Sequence, residues 1–470
     1  MIYLLLLALL AGVAAPAGAV DGASPQGQGT EASPPPSPVT TALPWWEELG
    51  DPQLAALVRQ AVAESPGIAI AVARMDRAVA AARATRASLM PELGAGAGAT
   101  RVRQSLEDPA IRPFVGAPGF QRDLTRLDAS LLASWEIDLL GARPRMRSAR
   151  ASASAAMADL SAARISLAAE TATVWLNVRE LKARLALAEA RLESLEQQRR
   201  APGLRTRAGV VAPIDLDRFE GEVEAASAAI PALEVALAGE VARLGVLVGD
   251  ADMARAAATG ADAAAPMASL APDRLDSLAI SLENRPDVIA ADLRMSGADS
   301  ALAAARSLRF PRLMLSGLLS SLAGTPQALF APPATAAVAA GMLTLPLLDF
   351  GRIDAAVAET RAASAEAAAS YRQTVLRAAA EVEVAAMAWK RRGEEAARQE
   401  AASRALARAE EAAKAAHEAG ALDLTTLLDT QRGSIAAKES LAVARAEQAR
   451  ALVALFRAAA GDVHAEASRS

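Results

Sequence analysis

The chain contains an internal duplication that covers most of its 470 residues. The recurring positions are Pro66, Arg74, Met75 and Pro91 in the first half and Pro286, Arg294, Met295 and Pro311 in the second, at an offset of about 220. Gly141 and Gly351, and then Gly209 and Gly420, recur at an offset near 210. A period of this length is far beyond a solenoid repeat, so the sequence predicts two copies of a whole substructure.

The composition favours long, closely packed helices. Hydrophobic residues make up 53% of the chain but aromatic residues only 3%, so alanine supplies much of the apolar content. Alanine has the highest helix propensity and lets helix axes approach closely. The net charge is −5, with acidic and basic residues interspersed. This balance gives no basic patch of the kind that nucleic-acid binding requires.

The sequence gives no support for an enzyme or for a bound cofactor or metal. There are no cysteines and two histidines, which excludes disulfides, thiolate zinc sites and cysteine nucleophiles. A phosphate-binding glycine-rich loop with its lysine is also missing. Glu136 and Asp138 are close in sequence, but general acid–base chemistry needs carboxylates opposed across a cleft. His417 is interpreted as a surface histidine.

The first residues are typical of an export signal. Residues 2–13 form an apolar run followed by Ala17-Gly18-Ala19, a small-x-small cleavage site, although no basic residue precedes the run. The run is too short to span a bilayer, and a buried N-terminal helix is the alternative. A signal peptide over 1–19 is expected, without lipidation because no cysteine is present. The Pro- and Ser-rich residues 20–44 are expected to form a linker.

Each half has the same order of patterns: short helices, two alternating segments around a Pro/Gly-rich loop, a glycine, and a very long helical pattern that turns back at another glycine. Repeat 1 is predicted over 45–250, with hairpin strands at about 90–140 and a long helical hairpin over 142–248. Repeat 2 is predicted over 273–460, with strands at about 309–350 and a helical hairpin over 352–460. Residues 251–272 are expected to be a linker and 461–470 a tail.

About four strands per chain limit what the hairpins can do. Strands that enter a bilayer must close into a barrel, because unpaired backbone groups in lipid are costly, and the smallest such barrels have eight strands. Transmembrane hairpins would therefore require several copies to share one barrel. Soluble hairpins would require no oligomer, and periodicity alone leaves both options open.

Several motifs, in the same order in both halves, resemble the outer-membrane efflux proteins of the TolC/NodT family. They are Trp45-Trp46 with Asp51-Pro52, Met90-Pro91-Glu92-Leu93 with Phe310-Pro311-Arg312-Leu313, Ser134-Trp135-Glu136-Ile137-Asp138-Leu139, Glu283-Asn284-Arg285-Pro286-Asp287, Leu345-Pro346-Leu347-Leu348-Asp349-Phe350-Gly351-Arg352, and Gly420 with Leu427-Leu428-Asp429-Thr430-Gln431-Arg432. Each motif is weak alone, but the ordered set, which runs from about residue 45 to 460, is specific.

The resemblance implies a mainly α-helical homotrimer with a twelve-stranded transmembrane β-barrel, four strands coming from each chain, and a long periplasmic helical tunnel. Such a protein lies in the bacterial outer membrane, in contact with its lipid. It serves as the passive exit duct for small toxic compounds or drugs, joined by a periplasmic adaptor (membrane fusion) protein to an inner-membrane pump. A type I secretion outlet for polypeptides and a periplasmic coiled-coil scaffold without a pore remain alternatives.

The resemblance also implies a gate and a docking surface near the periplasmic ends of the helices. Asp429 matches an acidic residue near the closed end of the tunnel, and three such carboxylates in a constriction would attract cations and repel anions. Thr425, one turn earlier, would line the same gate. Adaptor docking is expected at the exposed tips: Arg207, Gly209, Val210 and Asp215 in repeat 1, and Gly420, Leu422, Leu424 and Arg432 in repeat 2.

Overall fold

The computed structural model describes residues 45–207, 213–261 and 282–459. The expected signal peptide, the expected N-terminal linker and the tail lie outside the described residues.

The described elements of the two halves follow one order. The first half contains α1 (Trp45–Glu48), α2 (Pro52–Glu64), α3 (Pro66–Ala87), β1 (Glu92–Arg103), β2 (Asp123–Ile137), α4 (Ala142–Arg207) and α5 (Pro213–Val248). A further helix, α6 (Ala251–Gly260), follows. The second half contains α7 (Pro286–Ser307), β3 (Arg312–Ala323), β4 (Thr335–Thr344), α8 (Arg352–Glu418) and α9 (Leu424–Ala458).

Most corresponding elements of the two halves have nearly equal lengths, the exception being β2 with 15 residues against β4 with 10. Helices α3 and α7 each have 22 residues, and β1 and β3 each have 12. Helices α4 and α8 have 66 and 67 residues, and α5 and α9 have 36 and 35. At a rise of 1.5 Å per residue, α4 and α8 are each about 100 Å long.

The four strands form one antiparallel sheet in the order β1-β2-β3-β4. Its register places alternate residues on two different faces. One face, here the apolar face, carries Leu93, Ala95, Ala97 and Ala99 of β1, Leu127, Ala129, Leu131, Ala133, Trp135 and Ile137 of β2, Leu313, Leu315, Gly317 and Leu319 of β3, and Ala337, Ala339, Gly341 and Leu343 of β4. Between its helix-side end and the level of Leu127, the apolar face contains two polar residues, the small Ser321 and Thr335.

The opposite face, here the polar face, holds every charged side chain of the sheet from the level of Leu127 to its helix-side end. These are Glu92, Asp128, Glu136 and Arg312. Glu136 accepts a hydrogen bond from Arg312 at 3.1 Å. The two faces therefore differ as the two sides of a membrane-spanning strand do, with lipid on one side and water on the other.

The turns from sheet to long helix are built alike in both halves. The carboxylate of Asp138 accepts the backbone N–H of Gly141 at 2.6 Å and pairs with Arg145. Asp349 accepts the N–H of Ile353 at 2.8 Å and that of Gly351 at 3.1 Å. A side chain at Gly141 would collide with Asp138 and Ser307, which explains the glycine. Asp138 is thus a capping residue, and Glu136 and Asp138 do not face each other across a cleft.

Asp51 connects the start of the folded chain to the middle of α4. Its Oδ1 caps α2 by accepting the N–H groups of Gln53 (2.9 Å) and Leu54 (3.0 Å). Its Oδ2 accepts Trp175 Nε1 at 2.8 Å and Arg179 at 3.2 Å. The main core surrounds this contact, with Trp175 and Val178 fully buried and Trp45 stacked on Phe456 at 5.2 Å between ring centroids.

Residues 251–272, expected to be a linker, begin instead with helix α6. Asp250 caps it by accepting the N–H groups of Asp252 (2.8 Å) and Met253 (3.0 Å), and Ala254 is fully buried in the main core. At the other end, Lys182 Nζ donates to the carbonyls of Ala258 (2.6 Å) and Ala261 (2.8 Å). This long-range contact could not be read from the local pattern. Residues 262–281 lie outside the described residues.

Helix α7 begins at a buried arginine. Arg285 is 6% exposed and donates to Asp287, to Glu381 of α8 at 2.9 Å and to the carbonyl of Ala458 at 2.9 Å. Burial alone would raise the pKa of Asp287, but its hydrogen bonds with Arg285 and the guanidinium charge lower it overall. Asp287 therefore contributes stability above the pKa of the unfolded chain and loses it only as the pH falls through the lower folded-state pKa.

We expect Asp51→Ala to destabilise the protein by about 2–3 kcal/mol, because it removes both an N-cap and a part-buried acceptor. The measurement is the thermal midpoint of the helical circular-dichroism signal. Asp250→Ala is the matched control and should cost about 1 kcal/mol, because the Asp250 carboxylate has a similar cap geometry and, among the described residues, accepts hydrogen bonds only from its own helix. Equal losses for the two variants would show that the contacts to α4 add nothing.

Candidate functional site at the ends of the long helices

The turn between α8 and α9 is closed by a glycine in a left-handed conformation. Gly420 has φ +75°, its N–H bonds to the carbonyl of His417 at 3.0 Å, and the N–H of Ala421 bonds to that of Ala416 at 2.8 Å. A residue with a side chain is strained in this conformation, so glycine ends the helix here. The predicted helix-ending role of Gly420 is thereby confirmed. The role predicted for Gly209 lies outside the described residues.

Asp423 begins the return helix. Its carboxylate accepts the N–H of Thr426 at 2.7 Å and the Thr426 hydroxyl at 3.0 Å, and these hydrogen bonds lower the pKa of Asp423. The cap therefore persists to lower pH than a free carboxylate would allow. His417 Nδ1 lies 2.8 Å from the carbonyl oxygen of Leu422. This histidine, interpreted as a surface residue, is half-buried and fastens the turn.

A series of oppositely charged side chains joins three helices next to this turn. Asp429 accepts from Arg432 on the same helix at 3.2 Å. Arg432 also donates to Glu222 of α5, and Glu222 accepts from Arg191 of α4 at 2.8 Å. This series, here the tip network, joins α9 of the second half to α4 and α5 of the first. Its ends are solvated, so each pair contributes at most about 1 kcal/mol.

A small apolar cluster lies next to the tip network. Phe219 of α5 is fully buried against Leu195 of α4, and Leu428 of α9 packs on them. Beside the cluster lies a cavity of about 210 Å³ whose lining includes Arg191, Glu222, Glu410, Arg432 and Lys438. Because both signs of charge line this cavity, it favours neither anions nor cations.

The structure brings some of the predicted site residues together. Asp429, Thr425 and Arg432 are exposed on α9, whereas Leu422 and Leu424 are half-buried at its start. Arg207 is the last residue of α4 and Asp215 lies near the start of α5, but their side chains, like all of Val210, are outside the described residues. The gate and docking roles of these residues stay predictions.

Sequence reasoning missed Glu222 and Arg191, although a signal for Glu222 was present. Arg432 and Glu222 are 210 positions apart, one fewer than the 211 that separate Gly209 from Gly420 in this part of the chain. Residues at nearly equivalent positions of the two halves thus lie side by side, and this pair carries opposite charges. A search for opposite charges within one residue of the repeat offset would have found the pair.

Comparison with known proteins agrees with this architecture. The family model described as "Outer membrane efflux protein" matches residues 57–250 and 278–461, one segment in each half. The chain belongs to the outer membrane efflux protein family. Members of this family are channel components of efflux systems, so the chain is the outer-membrane part of such a system.

Individual relatives match this efflux protein over nearly its whole length. The pyoverdine export outer membrane protein OpmQ of Pseudomonas putida is 30% identical over 435 residues, covering 90% of each chain. Nodulation protein T of Rhizobium leguminosarum is 27% identical over 434 residues, covering 90% of this chain and 88% of its own length. The crystal structure of a membrane protein from Pseudomonas aeruginosa superposes with a TM-score of 0.78 at 26% identity, covering 92% of this chain and 99% of that one.

Arg432→Ala should loosen the tip of this efflux protein, because it removes the contact that joins α9 to α5. We expect backbone amides at the start of α9 to exchange several-fold faster in hydrogen–deuterium exchange, in line with a contact of up to about 1 kcal/mol. Arg391→Ala is the control, since Arg391 pairs with Glu394 of its own helix at 2.9 Å. Unchanged exchange in Arg432→Ala would show that the tip network is not structural.

Proposed function

We propose that three copies of this chain form one passive exit duct across the outer membrane and the periplasm. The observation that carries the proposal is the open four-stranded sheet with one apolar face, joined to helices about 100 Å long. A sheet of four strands is too narrow to enclose a pore by itself. Helices of this length are too long for an ordinary globular domain.

Sheet closure supports the number of copies. Strands β1 and β4 are the edges of the described sheet, and Leu93 and Leu343 on its apolar face are 64% and 66% exposed. Chain direction reverses at each step across the sheet, so β1 of one copy can pair antiparallel with β4 of the next. Three copies would close a barrel of twelve strands, whereas a membrane barrel needs at least about eight.

The dimensions of the apolar face suit a bilayer. From Leu127 to Ile137, strand β2 is about 33 Å long at ~3.3 Å per residue. With the usual tilt of about 40°, this corresponds to an apolar band about 25 Å tall. Trp135 lies at the helix-side end of the band, where its Nε1 donates to the Leu89 carbonyl at 3.0 Å. An amphipathic aromatic at that height is typical of a membrane interface.

The long helices would then form a periplasmic tunnel with a gate at the tips. In a trimer, Asp429 and Thr425 of three copies would surround the tunnel entrance. Because Arg432 donates hydrogen bonds to both Asp429 and Glu222 in the tip network, its positive charge would limit how strongly the entrance attracts cations. The exposed tip residues beside it would receive a periplasmic adaptor, and an inner-membrane pump would supply the energy.

The relatives favour small organic molecules as cargo. The names of two of them refer to pyoverdine export and toluene efflux. We therefore propose that this duct carries small organic compounds rather than polypeptides. Deletion of the gene, followed by growth tests against a panel of toxicants and antibiotics, would identify the compounds. Sensitivity to none of them would contradict an efflux role.

The trimeric duct is tested by isolation of outer-membrane fractions. We expect a trimer by cross-linking and by native mass spectrometry, and discrete conductance steps after insertion into planar bilayers. A monomer that stays soluble without detergent would overturn the proposal.

Substitutions in the tip network should change ion selectivity in opposite directions. Arg432→Ala leaves two carboxylates without their shared arginine, so cation preference, measured as the reversal potential in a salt gradient, should rise. Asp429→Asn removes one negative charge and should lower it. Arg391→Ala, outside the network, should match the unsubstituted protein. Unchanged reversal potentials in both network variants would remove Asp429 and Arg432 from the gate.

A further inference from the structure

Two arginines continue the apolar face beyond its outer end. Arg101 and Arg103 of β1 have the same alternation as Leu93, Ala95, Ala97 and Ala99, so they project from the same face of the sheet. Both side chains are exposed. The opposite, helix-side end of the apolar face finishes at Ile137, Leu313 and Leu343, which are uncharged.

The two arginines lie beyond the level at which β1, β2 and β3 are all paired, on the side of the sheet away from the helices. Pairing of β2 with β3 ends at Leu127 and Ala323, whereas pairing of β1 with β2 continues to Arg103 and Asp123. The β1–β2 hairpin therefore projects about 13 Å farther along the strand at ~3.3 Å per residue. The helices leave the sheet from the other end and extend about 100 Å, so the projecting end faces the cell exterior.

These arginines have no ion pair among the described residues, unlike Arg309 and Arg312 at the helix-side end of the sheet. Arg312 pairs with Glu136 at 3.1 Å, and Arg309 pairs with Asp354 at 2.6 Å. Asp123 lies opposite Arg103 in the register, but no ion pair joins them in the part of the chain that the structure describes. Two guanidinium groups on one exposed strand thus retain their full hydrogen-bonding capacity.

The second hairpin provides an internal comparison. The connection between β3 and β4, residues 324–334, contains no charged residue. Charged residues at the outer end of the sheet, among them the basic Arg101 and Arg103 and the acidic Glu107, Asp108 and Asp123, are therefore specific to the first hairpin. They recur once per copy around the proposed barrel, next to the uncharged end of the neighbouring copy's β4.

We propose that Arg101 and Arg103 bind phosphate groups of a phosphorylated glycolipid in the outer leaflet of the membrane. An arginine guanidinium binds phosphate in a bidentate manner, and basic residues at the headgroup level attract anionic lipids. The side chains of residues two apart on a strand are separated by about 7 Å, which allows each arginine to reach its own phosphate. The inference rests on the trimeric barrel proposed above.

The test uses the full-length trimer in nanodiscs that contain phosphatidylethanolamine with bisphosphoryl lipid A, with monophosphoryl lipid A, or with neither. Native mass spectrometry counts the lipid A molecules that stay bound to the trimer. We expect the double variant Arg101→Gln/Arg103→Gln to bind bisphosphoryl lipid A about 25-fold more weakly, because each basic residue contributes about fivefold and the two contributions multiply. The unsubstituted protein should retain the bisphosphoryl form better than the monophosphoryl form.

Arg126→Gln is the matched control. Arg126 is exposed on the same hairpin, but it lies opposite Thr100 in the strand register, and its side chain therefore projects from the polar face. This variant should retain lipid A like the unsubstituted protein. Equal retention by the double variant, or an equal loss in Arg126→Gln, would overturn the lipid site while the trimer and its conductance remain intact. Absence of an inserted trimer in the unsubstituted protein would instead refute the barrel on which the site depends.

Discussion

Backbone pairing at the two edges of the sheet is the constraint on which the rest of the molecule depends. A bilayer offers no partner to a free N–H or C=O group, so a strand ladder placed there must close on itself. One chain contributes four strands and leaves β1 and β4 as edges. Association thus completes the fold as well as the pore.

The four strands and the long helices come from two similar halves of the chain, which nevertheless differ in some of their contacts. Both halves use an aspartate, Asp138 or Asp349, to turn the chain from sheet into long helix. The halves differ where they meet, because Glu222 of the first half pairs with Arg432 of the second, whereas the position equivalent to Arg432 in the first half is Gly221. The two halves are thus joined here by residues that they do not share.

Much of the architecture could be predicted from the sequence, because it depends on local patterns and on the repeat. The long helices followed from segments with almost no glycine or proline, and the strands from alternation between Pro/Gly-rich loops. The strand region predicted to reach about residue 350 ends at Thr344, before Pro346, which has no N–H to donate. Helix α6 was missed because its stability comes from Ala254 in the core and from Lys182, which lies far away in sequence. The tip network was only half visible, since Asp429 and Arg432 belong to a recognisable motif whereas Glu222 and Arg191 do not.

Trp45 of α1 stacks on Phe456 of α9, so a helix at the start of repeat 1 meets the last helix of repeat 2 beside the middle of the long helices. The folded body is therefore close to a closed loop of polypeptide. Where such a loop is opened matters little for its packing, as is usual when chain ends are neighbours. A chain joined at this contact and opened in another exposed loop is therefore expected to keep the same packing of helices and strands.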